Sequence, residues 1–124
     1  MTHNRAILTI DSHKAQITTL SGDSFETRHL KAHTHTTAQH NSAVRDVHEF
    51  FAEVCDGLAG VAQIVVAGSH EGLNAFRHYV EKHRPHLAPN ILGYEVVDHL
   101  TDGQLVAMGR DFFDKHERLA HTAD

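Results

Sequence analysis

Apolar positions set two rhythms along the chain, a period of two first and a helical period later. Ala6 to Ile10 is a short apolar run rich in β-branched residues, closed by the turn-like cluster Asp11-Ser12-His13. Ala15 to Leu20 reads as a second strand, and Ser21-Gly22-Asp23-Ser24 as a second turn. Phe25 to Leu30 completes the set, with Phe25, Thr27 and His29 on one face. Three strands joined by short turns predict an antiparallel meander. From Lys31 to Asn41 the pattern vanishes into Lys-Ala-His-Thr-His-Thr-Thr-Ala-Gln-His-Asn. That stretch has nothing to anchor it to a core and reads as an exposed, mobile loop.

Helical spacing then begins. Val44, Val47, Phe51, Val54, Cys55 and Leu58 fall on one face, with Asn41 or Ser42 as the cap and Gly57 and Gly60 marking the end. Ile64 to Ala67, bounded by Gly68, has the unbroken apolar character of a strand buried on both faces. Ser69 can cap a second helix carrying Leu73, Phe76 and Val80, which Pro85 terminates. Ile91 to Val97 is a fifth strand. Thr101-Asp102-Gly103-Gln104 fits a capping box, with Leu100 and Leu105 placed for the hydrophobic staple around it. Leu105, Met108, Phe112 and Phe113 give the buried face of the last helix, and residues 117–124 are polar and expected to fray. The order β-β-β-α-β-α-β-α predicts one α/β domain over residues 1–124. Its expected architecture is three-layer, a five-stranded mixed sheet of order 3-2-1-4-5 with helices on its faces.

Composition narrows the function classes. The formal charge of −5 argues against a strongly basic nucleic-acid binder at neutral pH. The 14 histidines change that picture, because half of them charged near pH 6.5 would carry the net charge from −5 to about +2. Phosphate contacts made through histidine should therefore strengthen on acidification. The single Cys55 excludes an intramolecular disulfide framework. Neither a signal peptide nor a run of about 18 apolar residues is visible, so the expected location is cytoplasmic, with no membrane partner.

Three strands, a polar loop, a long helix and then Val65-Val66-Ala67-Gly68-Ser69 leading into another helix resemble the central domain of class-1 peptide-chain release factors and their ribosome-rescue relative Pelota. The resemblance runs from about Ala6 to Gly109. Asp11-Ser12-His13, His83-Arg84-Pro85-His86-Leu87 and Thr101-Asp102-Gly103-Gln104-Leu105 resemble signatures of small stand-alone bacterial proteins of this type, described as translational-machinery-like. It implies ribosome or tRNA as partner. In release factors a Gly-Gly-Gln loop promotes hydrolysis of peptidyl-tRNA; here Thr37-Ala38-Gln39 stands in its place, so the resemblance implies Gln39 as the catalytic, water-positioning candidate, but neither glycine is present. The Cβ atoms of Thr37 and Ala38 disfavour positive φ.

Two clusters suggest other chemistry. His33, His35 and His40 on the loop can converge on zinc or nickel, although a solvated polar loop in a histidine-rich chain accounts for them more simply. Asp11 and His13 end the first strand, and Asp98 and His99 the fifth. Strand ends of open α/β sheets are common ligand sites, and an Asp/His pair there can bind a metal or act as acid and base. Turn formation accounts for the same residues without chemistry. Gly68-Ser69 can present backbone N–H groups to a phosphate. Three function classes follow: a translation-associated domain contacting ribosome or tRNA, a metal-binding protein or small metal-dependent hydrolase, and a protein-interaction module with a homo-oligomeric interface.

Overall fold

β1 (Arg5–Ile10), β2 (Lys14–Ser21), β3 (Ser24–Lys31), β4 (Gln63–Gly68) and β5 (Ile91–Val96) form one sheet in the order β3-β2-β1-β4-β5. A computed structural model of the chain describes residues 5–11, 13–32 and 40–122, the side chains of 40–45 and 120–122 excepted. β1 pairs antiparallel with β2, and β2 with β3. On its other side β1 runs parallel to β4, and β4 to β5. This is the expected mixed sheet. The β2–β3 turn places Gly22 at φ 61°, a left-handed conformation that glycine adopts without steric cost.

Parallel neighbours require crossovers, and these are α1 (His40–Gly57) and α2 (His70–His83), which cover one face. Phe50, Phe51, Val54 and Leu58 of α1, with Leu73, Phe76 and Val80 of α2, pack on Leu8, Ile10, Ile17 and Val66. The full burial of Phe50, Phe51 and Phe76 stabilises this layer by roughly 1.5–3 kcal/mol for each ring. A short 3-10 turn, Ala88–Asn90, leads into β5.

α3 (Asp102–Thr122) covers the opposite face, where Leu105 and Phe113 pack on Ile7, Val65 and Ala67. It approaches closely because Gly109 lacks a Cβ, which would overlap Ile7. At Gly93 the missing side chain leaves room for the Phe112 ring, whose Cζ would lie 2.6 Å from a Cβ there. On β3 the Phe25 and His29 side chains are exposed among the described residues.

Several boundaries differ from expectation. α1 begins at His40, so Asn41 and Ser42 lie within the helix rather than capping it. α3 continues to Thr122, into the polar stretch 117–124. The ion pairs Lys115–Asp111 at 3.1 Å and Arg5–Glu117 at 3.3 Å support this polar last part. Phe113, not Phe112, is the fully buried ring of that helix. Residues 33–39, most of the polar loop, lie outside the described residues.

Candidate functional site at the strand ends

The parallel arrangement of β1, β4 and β5 brings their C-terminal ends to one edge of the sheet. A cleft of about 430 Å³ opens there. Asp11, Gly68, Ser69, Asp98 and His99 all line it, together with Thr9, Lys14, Gln16 and His29 from the meander. The structure thus gathers three of the four expected strand-end residues, while His13 is not part of the lining.

Each of these residues has a legible local cause. Asp11 Oδ1 accepts from the backbone N–H groups of His13 and Lys14, both at 2.7 Å, while Asp11 N donates to Lys14 O at 3.0 Å. Asp11 is thereby the turn-former that joins β1 to β2. Asp98 and His99 project fully into solvent, with 4.0 Å between Asp98 Oδ1 and His99 Nε2. That separation is too long for a hydrogen bond, so the two do not form an oriented acid–base dyad. A Cβ on Gly68 would collide with the Ile10 carbonyl, and one on Gly72 would sit 3.0 Å from the same oxygen. These two glycines let the β4–α2 junction press directly on the end of β1. Ser69 Oγ accepts from Gly72 N at 3.1 Å, the expected cap of α2.

Val97 to Leu100, the segment between β5 and α3, supplies the far wall. Thr101 N donates to Gln104 Oε1 at 2.9 Å, and Gln104 N to Thr101 Oγ1 at 3.2 Å, the reciprocal bonds of a capping box. The Gln104 side chain is therefore engaged structurally. Gln16 Nε2 donates to Asp102 Oδ1 at 3.1 Å, tying β2 to the start of α3. Sequence reasoning missed the row Thr9, Gln16 and His29, which pair across β1, β2 and β3. Its signal was the polar residue at matching positions of each meander strand. Thr9 Oγ1 is buried and has no hydrogen-bond partner among the described residues.

Among the described residues no three His, Cys, Asp or Glu side chains converge on a metal position. His33, His35 and Gln39 lie outside the described residues, and of His40 only the backbone is described. Cys55 is buried on α1, and burial pushes its thiol up to about 11, while the nearby Arg84 pulls it down. It packs as a small apolar residue, and its burial disfavours the thiolate. Among the described residues no helix is long and apolar enough to cross a membrane.

No protein-family model and no curated protein matches the chain. Solved structures do. Pelota from Archaeoglobus fulgidus is similar with a TM-score of 0.64 and 23% identity, covering 96% of this chain and 35% of that one. An archaeal translation termination factor gives a TM-score of 0.60 at 20% identity, over 96% of this chain and 41% of its own. Pelota from Thermoplasma acidophilum gives 0.57 at 12% identity, over 81% and 30%. The chain has the release-factor/Pelota-like fold, and it spans about a third of the length of these proteins.

Proposed function

We propose that this chain is a translation-associated domain that contacts ribosomal or transfer RNA without hydrolysing peptidyl-tRNA. The fold correspondence with Pelota and a translation termination factor, each over 96% of the chain, carries the reading. The absence of both glycines at Thr37-Ala38-Gln39 supports the non-hydrolytic half, since the Cβ atoms of Thr37 and Ala38 disfavour positive φ. A charge of −5 means that contact rests on local cations and histidines rather than on a global positive field. The strand-end cleft fits this role better than catalysis, because Asp11 is engaged in its turn and Asp98 and His99 are fully exposed.

Ultraviolet crosslinking of the purified chain to a ribosome preparation with bound tRNA tests the reading. Recovery of ribosomal or transfer RNA fragments on the chain is the expected result. Crosslinks to ribosomal proteins alone would sink it. In a parallel peptide-release assay the chain is expected to leave peptidyl-tRNA intact.

A further inference from the structure

A second hollow, of about 220 Å³, lies between α1 and α2, away from the strand ends. Its polar wall consists of His48 from α1 and His78, Tyr79, Lys82 and His83 from α2. The α2 members recur at spacings of three and four and so share one face of the helix. No carboxylate is among the described residues that line it. Neighbouring guanidiniums have partners elsewhere: Arg84 pairs with Asp56 at 2.9 Å and Arg77 with Glu81 at 3.4 Å.

An aromatic ladder leads from the core to this hollow. The Phe76 and Phe51 rings meet edge-on at 5.4 Å, and Phe51 meets Tyr79 at 5.6 Å. Tyr79, only 8% exposed, then holds His83 at 4.9 Å and His48 at 5.5 Å. The two imidazoles stand 5.5 Å apart, both exposed to solvent. Core packing therefore fixes ring faces at the surface, beside a lysine and a third imidazole. That combination suits a planar heterocycle bearing an anion. With only two imidazoles in ring contact and no three metal-ligating groups converging among the described residues, it suits a metal poorly.

We propose that the α1–α2 groove binds one nucleotide of an RNA strand, the base against the His48–Tyr79–His83 rings and the phosphate at Lys82 and His78. Its volume is below the roughly 300–1,000 Å³ of enclosed small-molecule sites, which fits one unit of a chain passing over the surface. The inference rests on the RNA-contact reading for the source of its ligand.

Fluorescence anisotropy with a labelled hexauridylate, on the full chain, tests it. His48→Ala combined with His83→Ala removes exposed rings and leaves Tyr79 and the core in place, and is expected to weaken binding about tenfold. Lys82→Gln is expected to weaken it too and to lower the slope of log affinity against log salt by about 0.7. Lys115→Gln, on the opposite layer, is expected to change nothing. Adenosine monophosphate should displace the probe more effectively than inorganic phosphate. Binding unaffected by both groove variants, no binding at low salt, displacement by phosphate alone as readily as by the nucleotide, or stoichiometric zinc held by His48 and His83 would each overturn the proposal. Groove variants that leave both hexauridylate binding and ribosome binding unchanged leave the broader reading intact while this one fails. Hexauridylate bound in the groove without ribosome binding has the opposite consequence.

Discussion

Gly109→Ala sets two effects of known size against each other. Alanine in a helix interior is worth about 1 kcal/mol over glycine, so propensity alone predicts a stabilised α3. The new Cβ, however, would overlap Cδ1 and Cγ1 of Ile7 on β1. Ile7 is 0% exposed and packed among Val65, Leu105 and Phe113, so it has little room to turn away. Overpacking of this kind costs about 1–3 kcal/mol. With the backbone of β1 held by pairing on both sides, the upper half of that range applies. The net expectation is a loss of about 1–2 kcal/mol, or roughly 3–10 °C in Tm for a domain of this size. Ile7→Ala removes both clashing atoms and by itself costs about 2–5 kcal/mol. In that background Gly109→Ala should become neutral or stabilising, giving a coupling of about 1–3 kcal/mol. Urea denaturation of the four proteins reads the cycle. A Gly109→Ala protein at least as stable as wild type, or a coupling near zero, would refute the close approach of α3 to β1.

Other outcomes follow from the same geometry. Thr101→Ala removes the acceptor for Gln104 N and is expected to cost about 1 kcal/mol by urea denaturation, with Gly in its place costing less. Asp11→Ala, which leaves two backbone donors of the β1–β2 turn without their acceptor, should cost about 1 kcal/mol. Asp98→Ala and His99→Ala, by contrast, should stay within about 0.5 kcal/mol of wild type. Burial holds the Cys55 thiol up to about 11, from the 9.0 of an exposed thiol, and the Tyr94 phenol up to about 12 from 10.0. Both groups are neutral when protonated, so the unfolded chain ionises first as pH rises. Their contribution is intact below about pH 9 and is lost between about pH 9 and 12, which denaturation at pH 7, 9 and 10.5 would show as little change up to pH 9 and a fall beyond it. Cys55→Ala should flatten the first part of that fall.

Local chemistry made much of the fold legible. The meander announced itself because its turns are spelled by Asp11, Gly22 and Asp23, and its register is short-range. α2 was bounded by two strong signals, the Ser69 cap and Pro85. Thr101 and Gln104 specify the start of α3 by bonds only three residues apart. What escaped depends on distant partners. The end of α3 is tied to Arg5 through Glu117, an ion pair invisible to periodicity. Asp11, Asp98 and His99 meet at one edge of the sheet without His13, and the role of Asp11 in its turn became visible only with its bonds. Thr9, Gln16 and His29 become one row only once β1, β2 and β3 are in register. The His48–Tyr79–His83 cluster joins two helices, and only the Tyr79–His83 half, at spacing i,i+4, was present locally in the sequence.

Co-sedimentation of the chain with purified ribosomes across a salt series tests the central claim most directly. Contact with RNA phosphates releases counterions, so binding must be present at about 50 mM salt and fall steeply by about 200 mM. The 14 histidines add a second expectation, that binding at fixed salt is tighter near pH 6 than near pH 8. Pelleting that follows both trends would support a domain that meets the translation machinery through its phosphates. A chain that stays in the supernatant at low salt and pH 6, or that pellets independently of salt, would contradict the account.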